Sequence, residues 1–283
     1  MKESPAIAGA TMKQDFQMIE GIKCYAPDAA LGGSDYDPAF FKVLFELESA
    51  NFWFRSRNRI ILNLFSRFLG PGPATVLEVG CGTGFVLQGL SEFPRYRLFG
   101  AELHLEGLRF ARQRLPNVEF LQLDIRRTPF DGEFDAVGAF DVLEHIDEDL
   151  EVMRNVHRTL KKGGLFFLSV PQHPWLWSAQ DAASGHKRRY TRSELTRKLR
   201  EGGFKIEFAS SFVFALFPVM AVSRLLKGAG ASSSSGEFDY GELKLPPLIS
   251  RLLEIPMRLD ESLIKLGASL PFGGSLVVVA RKT

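Results

Sequence analysis

Two cysteines, Cys24 and Cys81, are all that the 283 residues contain. They are too few for a disulfide framework or a zinc ribbon, and a reducing compartment suits them. Long hydrophobic runs are missing too: none reaches the roughly 18 residues that a membrane-spanning helix needs. Met1-Lys2-Glu3-Ser4-Pro5 does not begin a signal peptide, so a cytoplasmic location is expected. An excess of one charge is also absent. Lys and Arg number 35 against 33 Asp and Glu, a formal net charge of +2, and nucleic acid is therefore not an expected partner. What remains is an ordinary globular composition, 45% hydrophobic and 24% charged, long enough for one large α/β domain with elaborations.

The densest signal is Val76-Leu77-Glu78-Val79-Gly80-Cys81-Gly82-Thr83-Gly84-Phe85. An apolar run reads as a buried parallel strand, closely spaced glycines follow, and Phe85, Val86, Leu87 and Leu90 begin a helical pattern. Strand, glycine turn and helix make a cradle: glycine lets the backbone approach a ligand, and the helix N-terminus offers free N–H groups. A dinucleotide fingerprint, G-x-G-x-x-G, needs a small third residue for close helix packing. Counted from Gly80 and Gly82, that residue is Phe85, which is too bulky.

The pattern present, E-x-G-x-G-x-G, resembles motif I of the class I (Rossmann-like) S-adenosylmethionine (SAM) methyltransferases. SAM carries a sulfonium and an ammonium instead of a pyrophosphate, and an acid at the strand end, here Glu78, suits that charge. The resemblance covers about residues 48–210 plus the last strand and points to a bacterial small-molecule group similar to the ubiquinone pathway enzymes. It implies an α/β fold: a doubly wound seven-stranded sheet whose last strand is antiparallel, with an N-terminal helical cap and a helical insertion before that strand. The segment Glu48 to Arg57 resembles the part that caps the cofactor pocket in that group.

Taken in order, residues 1–38 read as a frayed start and loose chain. Apolar positions at helix spacing run from Ala39 and again through Ile60, Ile61, Leu64, Phe65 and Phe68, until Gly70-Pro71-Gly72-Pro73 stops them. Tyr96–Glu102 reads as the second strand, and Glu102 follows Gly80 by about the 20 residues expected of a ribose-binding carboxylate. A helix follows, whose Arg109, Arg112 and Arg114 read as a solvated face. Val118–Ile125, Phe134–Phe140 and Leu165–Pro171 are the third to fifth strands. In the resembled family the acid after the third strand, here Asp124, takes the adenine amino group, and the next residue, Ile125, packs on the ring. The resemblance thus places SAM against Glu78, Gly80, Cys81, Gly82, Gly84, Glu102, Leu103, Asp124, Ile125 and Phe140.

Methyl transfer from SAM needs alignment of donor and acceptor and a group to take the acceptor's proton. Glu144, His145 and His186 are the candidates for that chemistry, with His173 near the same sheet edge. Asp141-x-x-Glu144-His145 with His186 also resembles the metal-binding E-x-x-E-H of small-RNA 2′-O-methyltransferases and some ubiquinone-pathway O-methyltransferases. Asp141 stands where that pattern has Glu and many metal-free relatives share Glu-His, so no metal ligand is assigned, and a divalent ion is a minor alternative. Lys187, Arg188 and Arg189 beside His186 are a candidate anion dock or a solvated charge run. Thr191-Arg192-Ser193-Glu194 is a capping box opening a helix.

The expected organisation is an N-terminal extension and cap over residues 1–70, a SAM-binding core over 71–211, a helical insertion over 212–270 and a final core strand over 271–283. The apolar Phe212–Val222 block opens the insertion, which reads as a lid over an apolar acceptor pocket; a shallow contact peripheral to a membrane is the other reading. The expected activity is methylation, at oxygen, of a small-molecule or lipid-linked acceptor. A non-catalytic SAM-binding or membrane-docked partner protein is the rival, and an NAD oxidoreductase is a weaker one. The sequence leaves the acceptor, the methylated atom and the oligomeric state open.

Overall fold

The computed structural model describes residues 16–31, 39–227 and 245–283. Its strands are Gln17–Ile19 (β1), Ile22–Cys24 (β2), Ala74–Val79 (β3), Tyr96–Glu102 (β4), Glu119–Gln122 (β5), Phe134–Phe140 (β6), Leu160–Pro171 (β7), Phe204–Phe212 (β8) and Ser275–Lys282 (β9). The helices are Pro27–Leu31 (α1), Ala39–Leu47 (α2), Phe52–Leu69 (α3), Phe85–Leu90 (α4), Leu105–Arg114 (α5), Asp149–Thr159 (α6), Ala179–Ala183 (α7), Arg192–Glu201 (α8), Phe217–Lys227 (α9) and Pro247–Lys265 (α10). Asn51 caps α3 by accepting from the Trp53 N–H at 2.9 Å, and Thr191 caps α8 by accepting from Glu194 N–H.

One sheet runs in the order β1-β2-β5-β4-β3-β6-β7-β9-β8. From β5 to β7 the strands are parallel; β9 inserts antiparallel between β7 and β8. This is the mixed α/β, Rossmann-like methyltransferase sheet that the glycine motif implies, with the reversal at β3/β6 that opens a crevice at the carboxyl ends of the strands. Two further strands extend it. Gln17–Cys24, expected to be loose chain, forms a hairpin whose β2 pairs parallel with β5, and the Gln122 side chain bonds both backbone groups of Ala26. Strands of three residues carry no legible alternation; the free edge of β5 recruits them.

Alternation along the strands sends side chains to two cores. Val76 packs on the face covered by α3, α4, α5 and α10, through Ile61, Leu64, Phe65, Leu87, Leu108 and Met257. Leu77 and Val79 pack on the other face, against Val152, Met153 and Val156 of α6 and Leu195 and Leu199 of α8.

The helical insertion is present, with a later start and a deeper seat than expected. Phe212 is the last residue of β8, and α9 begins at Phe217. The serine tract of the insertion lies outside the described residues. Helix α10 lies along α3: Ser250 Oγ accepts from the Phe52 N–H at 2.9 Å, and Glu261 accepts from Ser56 Oγ at 2.7 Å. Arg55 and Arg59 of α3 pair with Glu254, and Arg59 with Glu261, at 2.6–2.8 Å. Met257 and Ile264 are wholly buried. This helix is part of the core and not a detachable cover.

Candidate active site

Gly80, Gly82 and Gly84 all take positive φ, at 65°, 50° and 78°, which L side chains rarely adopt. At Gly80 space is short as well, since a Cβ would lie 2.5 Å from Val142 Cγ2. At Gly82 nothing lies nearer than the Phe41 ring, 4.0 Å away. The loop is thus clamped at its first glycine and open at its second. The Cys81 N–H bonds the Ala101 carbonyl and ties the loop to β4.

Glu102 ends β4 beneath that loop. Its carboxylate accepts from the backbone N–H groups of Gly82 (3.1 Å), Leu103 (2.7 Å) and His104 (3.1 Å). Glu78, buried at the end of β3, has one oxygen with no partner, and burial pushes its carboxyl well above the usual range against the pull of Arg57. An open glycine cradle between a backbone-held carboxylate and a buried orphan acid fits a ribose-bearing cation: hydroxyls for Glu102, positive charge for Glu78. Asp124 follows β5 as expected. It caps the turn Ile125–Arg127 through the Arg126 N–H and is paired with the Arg126 guanidinium at 2.8 Å, while Ile125 is buried. Phe140, at the end of β6, packs toward Phe65 of α3.

Cap and loop are joined by residues that sequence reading set aside. Arg114, expected on a solvated face, is buried and donates to Glu48 Oε2 at 2.9 Å and to the Thr83 carbonyl and hydroxyl at 3.1 and 2.9 Å. Thr83 Oγ1 also donates to Glu48. Burial pushes the Glu48 carboxyl up, opposed by Thr83 and Arg114. Arg109 and Arg112 reach Glu20 of the hairpin turn.

At the carboxyl end of β6, Asp141 adopts φ 57° and pairs with Arg57, which lies over the rings of Trp53 and Phe54. Glu144 is wholly buried with both oxygens unpartnered; burial, then repulsion from Asp141, raises its carboxyl well above the ordinary range. His145 is pulled down to about 4, by burial first and by His186 next, and stays neutral above that pH. The rings of His145 and His186 meet edge-on at 4.8 Å.

His186 Nδ1 bonds Asp181 Oδ1 at 2.9 Å. Burial alone would raise Asp181; His186, Arg189 and Ser178 outweigh it and hold the carboxyl down at about 2, so it is an anion at neutral pH. An anion at Nδ1 fixes the proton there and leaves Nε2 as the basic nitrogen. Asp181 was not singled out in the sequence: a lone acid in an irregular stretch gives no signal. Arg188 and Arg189 are not a free anion dock. Arg188 pairs with Asp147 and Asp149, and Arg189 with Asp181 and the Gln172 carbonyl.

Among the described residues, one group has donor geometry for a metal: Glu144, His145 and His186 offer atoms within 4.8 Å of one another. Asp141 is absent from it, being held by Arg57. His173 stands in an aromatic wall instead. It lies 5.7 Å from Trp175 and 5.6 Å from Phe217 between ring centroids, and Phe217 is 5.2 Å from Phe272.

Comparison with known proteins agrees with this geometry. Residues 77–168 match the family model described as a methyltransferase domain. A Mycolicibacterium smegmatis protein named as a probable S-adenosylmethionine-dependent methyltransferase is 29% identical over 164 residues, covering 57% of this chain and 62% of that protein. The demethylmenaquinone methyltransferase of Chlorobaculum tepidum is 29% identical over 48% of this chain and 55% of its own. The matched stretch thus spans less than two thirds of these relatives. In fold, a SAM-dependent methyltransferase of Thermotoga maritima superposes with a TM-score of 0.53 at 17% identity, over 87% of this chain and 95% of that one. With its glycine cradle and this sheet order, residues 77–168 carry a methyltransferase domain on a sheet of the class I SAM-dependent methyltransferase fold.

Proposed function

We propose that the protein transfers the methyl group of SAM to an oxygen of a small-molecule or lipid-linked acceptor. SAM when bound supplies a methyl carbon already activated by its sulfonium. The chain's own work is to hold that carbon in line with the acceptor and to take a proton. Glu102 receives the ribose hydroxyls, Glu78 faces the cationic end, and the loop at Gly82 gives the backbone approach. His186 Nε2 takes the acceptor proton, and Asp181 stabilises the imidazolium that results. His145, neutral near physiological pH, and the buried Glu144 orient the acceptor. His173, Trp175, Phe217 and Phe272 form an apolar wall on the acceptor side, and α9 acts as the cover.

The single observation that carries this reading is the Asp181–His186 pair at the carboxyl edge of the sheet: a buried anion aimed at one ring nitrogen leaves a base at the other. Labelled SAM offered with cell extracts identifies the acceptor. His186→Ala then abolishes transfer while calorimetry shows SAM affinity unchanged. Equal transfer by wild type and variant would sink the assignment.

Metal-assisted transfer is the second reading, favoured by the unpartnered Glu144 beside two imidazoles. Addition of Mn²⁺ or Zn²⁺ raises the Tm on that reading, and Glu144→Gln abolishes the rise.

A further inference from the structure

Helix α10 carries three distinct faces. The inner face buries Met257 and Ile264 and turns its acids inward: Glu254, Asp260 and Glu261 are 6%, 0% and 6% exposed. The two glutamates pair with Arg55 and Arg59 of α3 and, at 3.2 and 3.6 Å, with the exposed Arg258 of their own helix, and Asp260 accepts from the Phe214 and Ala215 N–H groups. The opposite face is apolar and bare. Leu248, Leu252, Ile255 and Leu259, spaced by four, three and four residues, form one stripe, each 52–69% exposed, and Leu266 extends it at 85%. Between them runs a third row: Arg251, Arg258 and Lys265, seven residues apart and exposed. Of thirteen large hydrophobics exposed among the described residues, eight lie on α9, on α10 or, as Leu266, at its end, so the patch is not scatter.

We infer that this outer face of α10 is an interfacial anchor for an anionic phospholipid surface. An amphipathic helix lies in the plane of a bilayer when an aliphatic stripe can enter the acyl boundary and a cationic flank can meet the headgroup phosphates. Here the geometry is reached with the helix already folded and held by α3, so no ordering is required on contact. Charge complementarity selects the occupant. Every acid of α10 is turned inward, while its exposed charges are all cations. The aliphatic composition points the same way: Leu, which makes up most of the stripe, is under-used as a protein–protein anchor, where Trp, Tyr and Arg dominate. Val219 and Val222 of α9, 70% and 54% exposed, add apolar surface from the neighbouring helix. No helix among the described residues is long and apolar enough to cross a membrane, so the contact is with one leaflet's surface. This inference does not depend on the transferred group or on its acceptor.

Flotation of the full chain with phosphatidylcholine vesicles, with and without phosphatidylglycerol, tests it. Binding is expected only with phosphatidylglycerol and is weakened by salt. Arg251→Gln/Arg258→Gln/Lys265→Gln weakens it roughly a hundredfold, since each cation near an anionic surface is worth about a factor of five. Leu252→Ser/Ile255→Ser/Leu259→Ser abolishes it. These side chains are exposed, and at Arg258 only solvent-facing ion pairs are lost while Arg59 still holds Glu254 and Glu261, so both variants keep a Tm near wild type and the wild-type SAM affinity, which separates loss of anchoring from loss of fold or of cofactor site. Absence of vesicle binding by the wild type, or binding equal on neutral and anionic vesicles, overturns the proposal. So does gel filtration showing a wild-type dimer that the serine variant converts to monomer, because the stripe would then cover a second copy of the chain.

Discussion

Arg57 on α3 pairs with Asp141, a non-glycine residue held at φ 57° where β6 ends. The pair fastens the N-terminal helices to the sheet edge, and the guanidinium also lies near Glu78 and Glu144, whose carboxyls it pulls down against burial. Removing one partner of a mostly buried pair leaves the other uncompensated. Arg57→Ala is expected to lose about 3 kcal/mol in urea unfolding. Asp141→Gly loses less, because glycine relieves the left-handed backbone while the carboxylate disappears. Equal losses in the two variants would show that the φ strain is immaterial.

The glycine loop separates folding from binding. Gly80→Ala meets both a left-handed φ and Val142 at 2.5 Å, and is expected to cost about 2 kcal/mol or more of stability. Gly82→Ala meets open space and a positive φ, and costs about 1 kcal/mol. Its larger effect falls on SAM affinity, because the added methyl stands in the cradle. Urea melts and calorimetry on the same two proteins check this; a Gly82→Ala variant with wild-type SAM affinity would place the cofactor elsewhere.

Glu102 is held by three backbone N–H groups, so its position does not depend on ligand. Glu102→Gln keeps the shape and removes the charge. SAM affinity is expected to fall roughly tenfold to a hundredfold, the range of a charged hydrogen bond, measured by calorimetry.

Asp181 makes stability depend on acid. Its folded carboxyl titrates at about 2 against an ordinary 3.8, so the unfolded chain takes up the proton first as pH falls. The stabilisation is complete above pH about 4 and is lost as pH falls toward 2, amounting to about 2 kcal/mol. Asp181→Asn removes that part of the acid slope. The same variant also lowers kcat of transfer with SAM affinity unchanged if Asp181 supports His186 as the base; wild-type kcat in Asp181→Asn would assign Asp181 to folding alone.

Much of this molecule is local and therefore legible in the chain. The E-x-G-x-G-x-G turn, the strand alternation and Glu102 about 20 residues on follow from neighbouring residues and hence show in sequence. What escaped is long-range. Arg114 meets Glu48 across 66 residues, and a helix arginine looks the same whether solvated or buried until its partner is placed. The hairpin Gln17–Cys24 forms because β5 offers an unpaired edge, which no run of three residues announces.

The amino-acid order by itself determined the Rossmann-like sheet, the cofactor class and the residues at the strand ends, because backbone conformation and burial pattern are set within a turn or a strand. Tertiary structure alone decided which charges are spent and which are available. Arg188 and Arg189 are consumed by Asp149 and Asp181, Asp181 is made the partner of His186, and α10 keeps its acids inside while Leu248, Leu252, Ile255 and Leu259 face out. Charge and apolar surface count only after packing has chosen their neighbours, and that choice is made by the whole fold at once.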